Sequence, residues 1–279
     1  MKPRKRFAQH WLRSDAVLDR IIEAAELSAN DRVLEIGPGQ GVLTRRLFPL
    51  VESLVAIELD RDLCQKLVSK FRDIENFLLL QSDFLALNLS EQLSAFSNIF
   101  HVQNKVVANI PYNITGPILE KLLGKIETPN PRPYESIVLL VQKEVADRLC
   151  ARPGSKTFGA LSVRVQYLAQ CEIICTVPRK AFYPPPKVES AVVRLRPRSI
   201  ETPAQNPKLL STLVKVGFAN KRKMLRNNLK SLIEPEQLAE LFDRCQLDPE
   251  ARAERLSVAD WIALSNQSSE FNSTQNTKS

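Results

Sequence analysis

Asn109-Ile110-Pro111-Tyr112 closes an apolar run, and its residue types suit the capture of a flat base by its exocyclic amine. Such an amine is a poor nucleophile because its lone pair is delocalised into the ring. Two acceptors that draw the amine hydrogens aim that lone pair outward; the side-chain oxygen of Asn109 and the carbonyl of Ile110 would form the pair. Pro111 fixes the backbone, and Tyr112 offers a face on which an extruded base stacks. No carboxylate is required, because the amine becomes acidic only after it has gained a carbon. Catalysis would rest on orientation and electrostatic complementarity. The plainer alternative is a strand-end turn with a tyrosine in the core.

A second motif lies upstream. Val33-Leu34-Glu35-Ile36 reads as a strand that runs straight into Gly37-Pro38-Gly39-Gln40-Gly41. Glycines let a backbone turn sharply and approach a ligand closely. The spacing is Gly-x-Gly-x-Gly, with Val42 where a dinucleotide fingerprint has its third glycine, so a pyrophosphate fits poorly. Glu58 ends the next strand and is placed to accept from both hydroxyls of a ribose. Asp83 follows the third strand and is placed to reach an adenine amino group. These residues imply an adenosine ligand without a diphosphate, and S-adenosylmethionine fits that description. The alternative is a tight loop whose neighbouring acids cap helices.

Phe182-Tyr183-Pro184-Pro185-Pro186-Lys187-Val188 is a rigid loop before a strand. Phe182 would form the second slice of a base sandwich opposite Tyr112, or else a stiff connection with a buried Phe. The net charge of +8 and pI near 9.3 point to a polyanionic partner. Lys2, Arg4, Lys5 and Arg6 form a basic arm. Residues 206–233 contain no acid and carry Lys221, Arg222, Lys223, Arg226 and Lys230. If that stretch is helical, Arg222, Arg226 and Lys230 share one face and would meet phosphates. A solvated helix face is the competing explanation.

The elements that must position these residues are legible in the periodicity. Strands are expected at 32–36, 53–58, 77–81, 105–109 and 136–141, with helices between them, for example at 61–71 and 115–125. That alternation predicts parallel βαβ units and an α/β fold. Ser14 is expected to cap a helix. Strands near 172–177 and 188–195 have less helix between them and suggest an antiparallel edge. Pro197, Pro203 and Pro207 punctuate a linker, and 208–264 reads as helical. The expected organisation is a ligand-binding domain at 1–200, a helical domain at 205–265 and a disordered polar tail at 266–279.

The 279 residues, 44% hydrophobic and 25% charged, are enough to bury a full core. No apolar run approaches the ~20 residues of a membrane span, and no apolar core follows the basic start, so a cytoplasmic chain is expected. The five cysteines, at 64, 150, 171, 175 and 245, include no Cys-x-x-Cys pair, and only His10 and His101 could join them. Reduced core thiols and no metal are expected. A monomer is expected, and His101 is given no role.

Taken together the motifs resemble the ribosomal small-subunit RNA adenine dimethylases (dimethyladenosine transferases). The resemblance starts at Lys5-Arg6-Phe7-Ala8-Gln9-His10-Trp11-Leu12 and passes through Glu35–Gly41, Val55–Asp60 and Ser82-Asp83-Phe84. It continues through Asn109–Thr115, Gln142–Arg148 and Phe182–Ser190 to a segment beginning Phe218-Ala219-Asn220-Lys221-Arg222. It implies a Rossmann-like class I methyltransferase domain with a small helical C-terminal domain. It also implies N6,N6-dimethylation of two adjacent adenines in the 3′-terminal hairpin of small-subunit RNA, late in subunit biogenesis. By position it assigns His10, Leu12, Glu35, Gly37, Gly39, Glu58, Asp83, Phe84 and Asn109 to the methyl donor. Asn109, Pro111, Tyr112 and Phe182 fall to the target base, and Arg4, Lys5, Arg6, Lys221, Arg222, Lys223 and Arg226 to RNA. His10-Trp11 replaces the family's Asn-Phe, with His10 expected to keep a donated hydrogen bond. Ile110, also found in related resistance enzymes acting on large-subunit RNA, leaves that substrate as the nearest rival. A non-catalytic assembly factor on the same fold is the rival from another class.

Overall fold

The structure is a computed structural model that describes residues 10–276, with side chains to residue 269. Arg4, Lys5 and Arg6 of the basic arm therefore lie outside the described residues.

Seven strands form one sheet. They are β2 (Arg32–Ile36), β3 (Ser53–Glu58), β4 (Phe77–Gln81), β5 (Lys105–Asn109), β6 (Ser136–Gln142), β7 (Ala169–Val177) and β9 (Ser190–Pro197), in the order β4-β3-β2-β5-β6-β9-β7. The first five are parallel to their neighbours, and β9 enters antiparallel to β6. The antiparallel pairing was expected at the edge. The two strands expected there, β7 and β9, are the last two of the sheet, with β9 between β6 and β7. The strand order reverses between β2 and β5, where the crevice of an open α/β sheet holds its ligand. Glu35-Ile36 and Asn109 end these two strands, so the two motifs meet there by topology.

The remaining strands, β1 (Trp11–Leu12) and β8 (Phe182–Tyr183), make a separate antiparallel ribbon, with Trp11 opposite Tyr183 and Leu12 opposite Phe182. Two residues are too short to show a period, so the sequence gives no sign of it.

Helix Asp15–Ala25 packs Leu18 and Ile21 into the core formed with Val33, Leu54, Val107 and Val138. Ser14 occupies its N-cap, but through its backbone carbonyl, which accepts from Val17 and Leu18; the expected side-chain cap is not made. Helix Arg61–Phe71 is capped by Asp60, whose carboxylate accepts from the Asp62 amide.

Two compact units emerge. The first holds the described residues up to Leu123, with Arg132–Ala146 and Cys171–Pro197. The second holds Gly124–Pro131, Asp147–Gln170 and the described residues from Arg198. The helical unit thus draws in two segments that the sequence reading placed in the first domain. Within it Gly217 lies so close to Trp261 that an added Cβ would stand 2.4 Å from the ring. The expected disordered tail, 266–279, differs in its described part: helix Val258–Asn276 covers residues 266–276, with Ser268 buried. None of the five cysteines forms a disulfide, and only Cys64 is fully buried.

Candidate active site

The ends of β2, β3, β4 and β5 open into one cavity of about 360 Å³, within the range of small-molecule sites. Eleven expected residues line it: His10, Leu12, Glu35, Gly37, Gly39, Glu58, Asp83, Phe84, Asn109, Pro111 and Tyr112.

Gly37 and Gly39 both have positive φ, at 69° and 58°, a conformation open to glycine at no cost. The Gly37 amide donates to the Ile57 carbonyl at 2.9 Å, which extends the β2–β3 pairing into the turn. Gly41 serves a different end. A Cβ there would stand 2.6 Å from the Phe71 ring and 2.8 Å from Leu67. The third glycine therefore seats a helix.

Glu58 is 7% exposed, and its oxygens accept from the amides of Gly39 (3.1 Å) and Asp60 (2.9 Å). Burial pushes its pKa up, and the backbone amides oppose that shift. Both oxygens keep lone pairs for hydroxyl donors. Asp83 accepts from the Leu85 amide at 2.9 Å. The loop behind it is tied by Lys121, whose ammonium donates to the carbonyls of Phe84, Leu85 and Leu87 and lies 4.9 Å from the centre of the Phe84 ring. Burial lowers the Lys121 pKa, and the Asp83 charge opposes that shift. Lys121 bears on the site although no sequence motif marks it.

Glu35 is 1% exposed and forms part of the cavity floor. The Thr44 hydroxyl donates to it at 2.7 Å. Burial, opposed by that bond and aided by the Glu58 charge, pushes its pKa up to about 8. At neutral pH it is a carboxylic acid.

On the facing side Asn109 donates its side-chain amide to the His10 carbonyl at 3.4 Å. That bond turns its oxygen away, and no described residue donates to it. Pro111, at φ −61° and ψ 131°, leads into the turn Tyr112–Ile114. The Tyr112 hydroxyl shares a 2.6 Å hydrogen bond with Ser190, and burial raises its pKa. His10 stacks on Tyr112 with ring centres 5.9 Å apart, and its Nδ1 donates to the Pro184 carbonyl at 2.8 Å. The Nδ1 hydrogen of His10 is thus given to Pro184.

Two features are placed otherwise than the sequence reading had them. Phe182 is 4% exposed and belongs to the apolar core, outside the cavity lining. Pairing with Leu12 in the ribbon turns it inward, and the neighbouring Tyr183 faces out at 48% exposure under the Arg13 guanidinium, 4.1 Å from its ring centre. The stiff connection with a buried Phe is what forms. The basic stripe also breaks. Residues 218–224 turn between helices Pro207–Gly217 and Leu225–Leu229, so Arg222 leaves the helix that carries Arg226. Buried Asn228 holds the turn by donating to the carbonyls of Gly217 and Asn220. Lys221, Arg222, Lys223 and Arg226 are all exposed. Trp11, given no role in the sequence reading, also lines the cavity.

A donor that carries an adenosine fits this cavity on one further observation: the Trp11 indole nitrogen, beside Gly39, is buried without a hydrogen-bond partner. Among the described residues no three His, Cys, Asp or Glu side chains are gathered as a metal site, and no helix is long and apolar enough to cross a membrane.

Comparison with known proteins bears on the same segments. Ribosomal RNA small subunit methyltransferase A of Nostoc punctiforme is 64% identical, over 96% of this chain and 95% of its own. The protein of that name from Synechococcus elongatus is 57% identical, over 95% and 94%. A solved dimethyladenosine transferase from Plasmodium falciparum aligns with a TM-score of 0.77 at 26% identity, covering 95% of this chain and 98% of that one. The 23S rRNA methyltransferase ErmE aligns with a TM-score of 0.72 at 25% identity, covering 92% and 98%. The sheet is thus the Rossmann-like sheet of class I methyltransferases. The family model described as ribosomal RNA adenine dimethylase matches residues 1–270. That match runs through every segment that walls the cavity, and the chain belongs to the ribosomal RNA adenine dimethylase family.

Proposed function

We propose that this protein dimethylates N6 of two adjacent adenines in the 3′-terminal hairpin of small-subunit ribosomal RNA, late in subunit biogenesis, in the cytoplasm. S-adenosylmethionine, when bound, supplies an electrophilic methyl group. The observation that carries the proposal is the orientation of Asn109. Its amide hydrogen is committed to His10, which leaves its oxygen as an acceptor at the strand end nearest Tyr112.

The chain's own groups divide the work. The Gly37–Gly39 turn admits the donor closely, Glu58 takes its ribose hydroxyls on the remaining lone pairs, and Asp83 takes the adenine amine beside Phe84. Leu12 and His10 close the opposite wall. Protonated Glu35 adds no negative charge to the floor. Asn109 and the Ile110 carbonyl draw the hydrogens of the target amine, and Pro111 holds the two in register. Tyr112 supplies the stacking face. After attack the nitrogen is cationic and acidic, and its proton passes to water. In the second round the amine has one hydrogen left, so a single acceptor orients it. Lys221, Arg222, Lys223 and Arg226, with Arg4, Lys5 and Arg6, would contact RNA phosphates, which position but do not specify.

The identity levels favour the small subunit: 64% to a small-subunit enzyme against 25% to the large-subunit enzyme ErmE. Transfer of labelled methyl to unmethylated small subunits, with large subunits in parallel and nucleoside mass analysis, tests the proposal. Dimethyladenosine from small subunits alone is expected. Label in large subunits instead, or tight subunit binding with no label, would overturn it.

A further inference from the structure

Trp11 is 7% exposed, lines the cavity and presents a buried indole N–H that nothing satisfies. Its ring edge lies over the glycine turn: a Cβ placed on Gly39 would stand 3.6 Å from Cδ1 and 3.8 Å from Nε1. The backbone at Trp11 is fixed by its pairing with Tyr183. A buried donor left without an acceptor costs stability, so a group that enters the cavity and accepts from it gains what the empty fold forgoes. The indole of Trp261 is also unpartnered, but it packs on Phe218 and does not line this cavity.

We propose that the Trp11 indole Nε1–H donates to the amino-acid carboxylate of the methyl donor. The proposal rests on the S-adenosylmethionine reading above. The donor's sulfur carries three branches. The methyl branch must point toward Asn109, and the adenosine branch runs to Glu58 and Asp83. The wall left for the third branch is the one contributed by residues 10–12. That branch ends in a carboxylate, yet the cavity is lined by the carboxyl groups of Glu35, Glu58 and Asp83, with no Lys or Arg among the described residues that line it. Among the described residues the carboxylate can therefore be held only by neutral donors. His10 has already given its Nδ1 hydrogen to Pro184, whereas Trp11 has its own to give. A hydrogen bond to a charged group in a water-poor wall is a strong one.

The test is calorimetric binding of two adenosine compounds to the full-length protein and to Trp11→Phe, which keeps an aromatic ring against Gly39. S-adenosylhomocysteine retains the carboxylate; 5′-methylthioadenosine lacks it. The expected result is about tenfold or greater weakening of S-adenosylhomocysteine by the substitution, with methylthioadenosine unchanged within about twofold. Equal weakening of both would mean a packing role or a ribose contact, and no weakening of either would mean no contact; each overturns the proposal. Failure of the unsubstituted protein to bind S-adenosylhomocysteine would sink the cofactor reading itself. A second readout needs no variant activity: the ¹⁵N–¹H resonance of the Trp11 indole, assigned by its loss in Trp11→Phe, should shift with S-adenosylhomocysteine and stay in place with methylthioadenosine. A resonance indifferent to both would overturn the proposal equally.

Discussion

Asn109 and His10 are joined by a hydrogen bond from the asparagine side chain to the histidine carbonyl, 3.4 Å long and 99 positions apart in the chain. The bond polarises the site, because it decides which end of the amide faces the cavity. Asn109→Ala removes both the acceptor and the tie. The expected loss in kcat is at least ~100-fold, as for removal of one preorganised polar group elsewhere, with small-subunit binding within about twofold in a filter assay. Asn109→Asp is expected to do no better than Ala. It has acceptors to spare but no hydrogen for the His10 carbonyl, so the carboxylate is turned off its aim.

Tyr112 separates ring from hydroxyl. Tyr112→Phe deletes only the bond to Ser190, worth about 1 kcal/mol, and kcat/KM for subunits should fall less than about tenfold. Tyr112→Ala deletes the stacking face, worth about 1–3 kcal/mol per base, and should fall further. Equal losses in the two variants would show that the hydroxyl, not the ring, is what matters.

Lys121 touches neither substrate yet holds three carbonyls of the loop that bears Phe84 and follows Asp83. It is a positioning residue. Lys121→Met should raise the KM for the methyl donor several-fold and leave kcat at saturating donor close to that of the parent. Lys121→Arg, which restores donors and charge, should recover part of the loss. A fall in kcat with KM unchanged would contradict the role.

Glu35 makes stability depend on pH. Its pKa is about 8 in the fold against a reference of 4.5. The folded state therefore holds a proton that the unfolded state has lost, and stability falls as pH rises from 4.5 to 8. Glu35→Gln keeps an acceptor for Thr44 and has no proton to lose. Thermal unfolding from pH 5 to 8 should show the parent losing stability relative to this variant across the window. Parallel curves would refute the prediction.

The exposed turn Lys221-Arg222-Lys223 offers a count. Each phosphate contact contributes about 0.7–0.9 to the slope of log affinity against log salt. Replacing all three by Ala should therefore flatten the slope by roughly 2–3 and weaken binding to small-subunit RNA of any sequence. An unchanged slope would return these residues to the class of merely solvated charges.

What the sequence discloses here is whatever repeats or recurs over several residues. The five parallel strands and the cavity residues from Glu35 to Asp83 follow from alternation and from glycine spacing, which are local properties. What it conceals is set by distant pairing. Phe182 reads as a stacking ring until its pairing with Leu12 turns it inward. Arg222 and Arg226 read as one stripe until Asn228 bends the chain between them. Lys121 and Trp11 carry no assigned role in the sequence reading, and only the folded chain brings the first to a loop and the second to the cavity.

The ribbon of Trp11–Leu12 with Phe182–Tyr183 has a consequence for how the protein is made. Synthesis delivers the amino-terminal residues first, yet the wall they contribute is held by residues that emerge much later; His10 and Pro184 lie 174 positions apart. A nascent chain that already carries the glycine turn, Glu58, Asp83 and Asn109 still lacks the support on which His10 and Trp11 rest. The beginning of the chain is the last piece of the cavity to arrive, and an enzyme stalled short of residue 184 would own the glycine turn, both acids and Asn109 and enclose nothing.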